Sequence, residues 1–246
     1  MKSKFELKMK NTMIIIWFIF TLIIARKCFA IKSSAEFSNS TEWDYLMLVQ
    51  RWPLAVCQIV NASGHPCGVP PQTTGWTIHG LWPSNRNGPP PFYCQDTVFD
   101  MTKIMDLKEV LNIIWPNFYL KESEDSLWKH EYEKHGTCAA SNPYFSTEHD
   151  YFQNTLKLNE VFDVQRLLER KGIFPTAEPY KKSVIISSIK ESYPVNSCPG
   201  CGYVKGIGQV LSQSYICFDK QIQLVDCPEC ENECSDEEGI LYQPLR

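Results

Sequence analysis

Ten of the eleven cysteines in this 246-residue chain fall between Cys57 and Cys234, and that even set limits the fold more than any other feature. The eleventh, Cys28, closes an N-terminal segment built like an export signal. It has Lys2, Lys4, Lys8 and Lys10, an apolar run from Met13 to Ile24, and the small-residue site Cys28-Phe29-Ala30. The run is twelve residues, short of the roughly twenty that span a bilayer as a helix. Residues 1–30 are therefore expected to be removed, leaving no stable membrane association. An even number of cysteines in an oxidising compartment reads as a disulfide framework with no free thiol. Zinc is the rival, because Cys198-x-x-Cys201 and Cys227-x-x-Cys230 are spaced like two halves of a ribbon site. The compartment and the neighbouring Cys217 and Cys234 weigh against it.

Residues 31–246 can bury one sizeable core, and one domain is the expectation. Loss of the leader removes six Lys/Arg and one Glu, leaving 18 basic against 27 acidic residues and a formal charge of −9. That balance argues against tight, nonspecific nucleic-acid binding, though not against turnover in a locally cationic cleft. Along the chain, Trp43–Gln50 reads as a strand stopped by Trp52-Pro53, and Trp76–Leu81 as a short strand delivering His79 at its end. Ile104, Leu107, Leu111 and Ile114 give Met101–Trp115 a helical period closed by Pro116. Tyr151–Lys171 reads as two short helices ending at Gly172, and Lys181–Ser192 as a further helix. Gln209–Phe218 and Gln221–Cys227 form a hairpin about Asp219-Lys220. The acidic tail Glu229–Glu238 is a solvated, disulfide-held segment. Asn39 and Asn61 head glycosylation sequons. The sum is an α+β fold, a central antiparallel sheet with packed helices.

The chemistry concentrates in LWKHEYEKHGTC, Leu127 to Cys138. At about 100° per residue, with His130 at zero, Lys134 lies near 40°, Glu131 near 100° and His135 near 140°, so all four can address one volume. A zinc protease helix needs its second histidine four residues after the first, and here that place holds a cation, Lys134. A second string lies upstream, GWTIHGLWPS from Gly75 to Ser84, with His79 between two tryptophans. Trp115 and Trp128 are assigned to the scaffold. A pair of histidines on separate segments, with a lysine and a glutamate, can supply a base, an acid and a cation without metal.

The two strings in this order resemble the active-site segments of the ribonuclease T2 family, and the resemblance extends from about Trp43 to Cys234. It implies the family's α+β fold and a secreted or lysosomal endoribonuclease. The expected reaction converts single-stranded RNA to 2′,3′-cyclic phosphates with low base specificity, with no cofactor or metal. It implies His135 as general base, His79 as general acid, His130 as a phosphate ligand, Lys134 as a stabiliser of transition-state charge, Glu131 as its assistant, and Trp82 as a base-stacking surface. It further implies pairing of Cys57 with Cys67, Cys94 with Cys138, Cys198 with Cys234, and Cys217 with Cys227, leaving Cys201 with Cys230. Ser84 stands where several members have aspartate, which weakens any expectation of base selection. Tyr132 stands where tryptophan is usual, on the side of the helix away from His130. A monomer is expected. The reading from a different class is a secreted glycoprotein that binds a receptor or partner and uses the fold as a scaffold.

Overall fold

The strand Tyr45–Arg51 (β1) is buried at six of its seven positions because it is flanked on both sides. In the computed structural model, which describes residues 41–190, 195, 197–228, 234–235 and 237–245, the strand order is β2-β1-β4-β3. These strands are Thr77–Ser84 (β2), Cys198–Val204 (β3) and Gly208–Phe218 (β4), all antiparallel, and the two-residue Leu224–Val225 (β5) pairs with the end of β4. The leader, its cleavage site, Asn39 and Cys230 lie outside the described residues. Among the described residues no helix is long and apolar enough to cross a membrane.

The larger core gathers Leu46, Leu48, Ile78, Leu81, Ile216 and Phe218 from the sheet against Trp115, Trp128, Tyr132, Tyr151 and Phe152. A second joins Trp52, Ala55 and Trp76 to Val164, Leu167, Leu168 and Ile185. The helices that supply them include Lys108–Ile114 (α2), Ser126–Glu131 (α3), Glu148–Val161 (α4), Val164–Arg170 (α5) and Lys182–Lys190 (α6). The sequence reading did not find Pro53–Ala62 (α1); Trp52-Pro53 ends the strand, but Pro53 also opens this helix at a position where no amide is needed. The helix expected over Met101–Trp115 is divided. Met101–Leu107 is a 3₁₀ segment in which Ile104 reaches the core from a non-helical backbone, and only α2 is regular. The hairpin turn is also longer than expected. Asp219 Oδ1 accepts from the amides of Gln221 and Gln223, and this side-chain cap leaves β5 room for only two residues.

Strand β2 lies at the sheet edge, where unpaired backbone groups need partners. Side chains supply them: Trp115 Nε1 donates to His79 O at 2.7 Å, and the Tyr151 hydroxyl donates to Leu81 O at 3.1 Å. Trp115 is fixed in turn by Trp128 Nε1, which donates to its carbonyl. Trp115→Phe keeps most of the ring volume and removes the donor. It is expected to cost about 1–3 kcal/mol, the range for an orphaned buried acceptor. Urea unfolding measures it, and a midpoint equal to that of the wild type would show that the bond contributes nothing.

Four disulfides lie among the described residues: Cys57–Cys67, Cys94–Cys138, Cys201–Cys234 and Cys217–Cys227. The third corrects the expected Cys198–Cys234 and Cys201–Cys230 pairs. A bulge between Gly200 and Cys201 shifts the register of β3, and Cys201 packs with buried Cys234 in the second core. Cys198, also disulfide-bonded, packs instead beside Tyr45, Cys217 and Cys227.

Candidate active site

His79 does not end its strand, as expected from sequence; it interrupts it. Val49 pairs with Gly80 and Gln50 with Ile78, so His79 is the extra residue of a β-bulge, a device that re-aims a side chain. In β2 only His79 and Trp82 are partly exposed, and both line one cleft. Gly80 is required beside them. A Cβ there would stand 2.1 Å from Glu131 Oε2 and 2.3 Å from Trp82 Nε1, two atoms that make a 2.7 Å hydrogen bond.

The facing helix departs from the α-wheel in the same region. After α3, Tyr132–Gly136 forms a π turn, in which the Thr137 amide reaches back five residues to Tyr132 O. Residues five apart therefore come round to one side, and the rings of His130 and His135 lie 6.3 Å apart. Tyr132 is turned into the core against Tyr151 and Phe152.

The two segments meet at Trp82. Its ring stacks on His135 at 5.2 Å and meets His79 edge-on at 5.0 Å, while its N–H holds Glu131. Glu131 Oε1 lies 3.9 Å from His79 Nε2. His79 keeps 27% of its side-chain surface exposed and Glu131 only 1%, so the histidine can touch a ligand and the carboxyl must act through its neighbours. The cleft measures about 670 Å³. Its far wall is Pro90–Tyr93, anchored by the Tyr93 amide to Lys134 O, by the Cys94 amide to Thr137 Oγ1, and by the Cys94–Cys138 bridge. Ser84 is buried and donates to Trp82 O.

Burial governs the electrostatics. It pushes the Glu131 carboxyl up to about 7, against the opposing pull of the Trp82 hydrogen bond, Arg51 and Lys134. It pushes His135 down to about 3, helped by the charges of Lys134 and His130. His79 is held well below the usual imidazole range by burial and then by Arg51, and His130 is lowered by burial and Lys134. The His135 Nδ1 is buried with no hydrogen-bond partner among the described residues. His130, Glu131 and His135 can each bring a ligand atom within 4.8 Å of the others, a set able to gather round a cation, although Lys134 belongs to the same cleft.

Three site residues escaped the sequence reading. Arg51 is buried on the central strand, over the ring of Phe118; a charge ending an otherwise apolar strand was its signal. Gln213 reaches His79 from β4 and is held there by Tyr215, and nothing local in the sequence marks them.

Residues 43–227 match the model of the Ribonuclease T2 family. Ribonuclease Oy of Magallana gigas is 34% identical over 212 residues, covering 83% of this chain and 98% of that protein. A ribonuclease-like storage protein of Panax ginseng is 29% identical over 216 residues, covering 87% of this chain and 86% of that one. Among solved structures, RNase NT in complex with 5′-AMP superposes with a TM-score of 0.71 at 27% identity, covering 83% of this chain and all of that one. With a family match across three quarters of its length and the two histidine segments meeting in one cleft, the chain belongs to the ribonuclease T2 family.

Proposed function

We propose that this endoribonuclease cleaves single-stranded RNA by metal-independent transesterification. The observation that carries the reading is the sandwich of Trp82 and Glu131 between His79 and His135 in one open cleft. His135, neutral at all but strongly acidic pH, takes the proton of the 2′-hydroxyl. The 2′-oxygen attacks phosphorus, and the P–O5′ bond breaks as His79 delivers a proton to the departing oxygen, leaving a 2′,3′-cyclic phosphate and a 5′-hydroxyl. His130 and Lys134 hold the phosphoryl oxygens and stabilise the charge that builds on them. Glu131 shares a proton with His79 and orients Trp82. RNase NT, which is similar in fold, forms a complex with 5′-AMP, and here Trp82 with the Phe92 and Tyr93 wall supplies aromatic surface for bases.

The same reading makes residues 1–30 a leader and residues 31–246 one secreted or lysosomal domain, monomeric and glycosylated at Asn39 and Asn61. Exposed Asn61 suits this. Its amide donates to Cys67 O and accepts from Cys67 N, and a glycosylated amide keeps one proton for the first bond. Base preference is expected to be weak, because Ser84 is turned to Trp82 O rather than to a base edge. The test is digestion of short RNA and of the sixteen dinucleotides in EDTA, with products resolved. Cyclic phosphate formed at an undiminished rate supports the reading. Loss of activity restored by zinc or magnesium refutes it, and a preference for one base above roughly a hundredfold, about 2.7 kcal/mol, refutes the weak selection.

A further inference from the structure

Strand β4 carries no residue of either active-site string, yet it sends a side chain to His79. Gln213 pairs with Arg51 across β1, which lies between β4 and the strand of His79. Its Nε2 nevertheless comes within 2.9 Å of His79 Nδ1. The other end of the amide is held too: the Tyr215 hydroxyl donates to Gln213 Oε1 at 2.6 Å. Tyr215 lies two residues along the same strand, the spacing that puts side chains on one face. The third strand makes room for the pair. Gly200 is opposite Gln213, and a Cβ there would stand 2.8 Å from the Tyr215 hydroxyl and 2.9 Å from Gln213 Cβ.

We propose that Gln213, oriented by Tyr215, is a positioning residue that fixes the imidazole of His79 in the tautomer with its proton on Nε2, the nitrogen nearer Glu131. The reasoning is donor by donor. A phenol donates its one proton to the amide oxygen, so the amide turns its NH₂ toward the ring. An NH₂ group offers only protons, so Nδ1 must accept, and a neutral imidazole then carries its hydrogen on Nε2. Nε2 is the nitrogen that faces the cleft, and the doubly protonated ring is the form that passes a proton from it to a leaving oxygen. When His79 becomes doubly protonated, Nδ1 also acquires a hydrogen, and the amide must rotate to present its oxygen, with its NH₂ donating to the tyrosine oxygen. Tyr215 therefore biases the amide, and through it sets how readily His79 takes the second proton.

The groups facing His79 are Glu131, Arg51, His130, His135 and Lys134, all from β1 or the facing helix. None of them bonds Nδ1; among the described residues that contact belongs to Gln213.

The inference rests on the acid role of His79 for its catalytic consequence, but the tautomer can be read without activity. In ¹⁵N NMR of the full chain, wild-type His79 is expected to show an unprotonated Nδ1 and a protonated Nε2 at neutral pH. Gln213→Glu replaces the donor with an acceptor and is expected to protonate Nδ1 and raise the pH at which His79 titrates. Gln213→Ala is expected to give a mixture of tautomers and to lower kcat by roughly tenfold to a hundredfold, the range seen when a partner orienting a metal-bound imidazole is removed, with KM little changed. Tyr215→Phe should move both readouts in the same direction by less. A wild-type Nδ1 that is protonated, or a Gln213→Ala protein with unchanged His79 resonances and pH profile, overturns the proposal. The expected tautomer in a protein that fails to cleave RNA would leave the proposal standing and count against the proposed function alone.

Discussion

Alanine at His135 is expected to lower the rate of RNA cleavage by roughly 10²–10⁴, the range supplied by a positioned general base, and alanine at His79 by a similar factor. The double replacement should cost far less than the product of the two, because groups serving one proton-transfer cycle act as a unit. The pH profile separates their roles. His135 must be unprotonated to act, and burial places its titration at about 3, so activity should be present above that pH and fall as pH drops through it. The proton needed for the leaving oxygen belongs to the His79 and Glu131 pair, 3.9 Å apart, with the carboxyl pushed up to about 7, so activity should fall as pH rises through that value. The expected profile is a bell lying below neutrality. Glu131→Gln should move the alkaline limb and leave the acidic one in place. Rates of short-RNA cleavage across pH for the wild type and the four variants decide the matter. Undiminished activity in His135→Ala would take the base from the mechanism, and a profile rising steadily through pH 8 would take away the shared proton.

Loss of the Cys94–Cys138 bridge is expected to be the most damaging change to stability away from the core. It closes a separation of 44 residues, for which chain entropy gives about 4 kcal/mol, or a midpoint lowered by roughly 10 °C in a chain of this size. The bridge also ties the Pro90–Tyr93 wall to the helix that carries Lys134 and His135. Two backbone-anchored hydrogen bonds, from the Tyr93 amide and the Cys94 amide, remain when it is gone. Cys94→Ala with Cys138→Ala should therefore raise KM more than it lowers kcat, since in the proposed mode the wall holds bases rather than the reacting phosphate. Calorimetry and steady-state kinetics on the double variant test this. An unchanged midpoint, or a loss confined to kcat, would contradict it.

How much of this was legible in the sequence depended on distance along the chain. His130, Glu131, Lys134 and His135 lie within six residues, so any helical geometry keeps them near one another, and the α-wheel brought together four residues that line one cleft although the helix is not α at that point. His79 needed a second string fifty residues away. The strands β1, β2 and β4 were visible because their burial writes itself into apolar runs. Pro53–Ala62 was hidden, since proline ends a strand and begins a helix with equal ease. The Cys201–Cys234 pairing was illegible because one bulge in β3 decides which core each cysteine joins. Gln213 was beyond reach for a related reason: its partner lies 134 residues away, two strands over, and the amide carries no local signature.

Both active-site segments share a property of length. His79 is one residue more than the β2 ladder can pair, and Tyr132–Gly136 holds one residue more than an α turn accommodates. Removing a single residue at either place would restore a regular element, and regularity would be ruinous. Strand β2 would keep its pairs but lose the residue that the bulge aims into the cleft, and the helix would lose the wide turn that sets His130 and His135, five apart, on one side. The site thus depends on the length of the chain in two short windows, and a gap in either should be as damaging as the loss of a histidine. The catalytic arrangement is inherited as a count of residues as much as a choice of them.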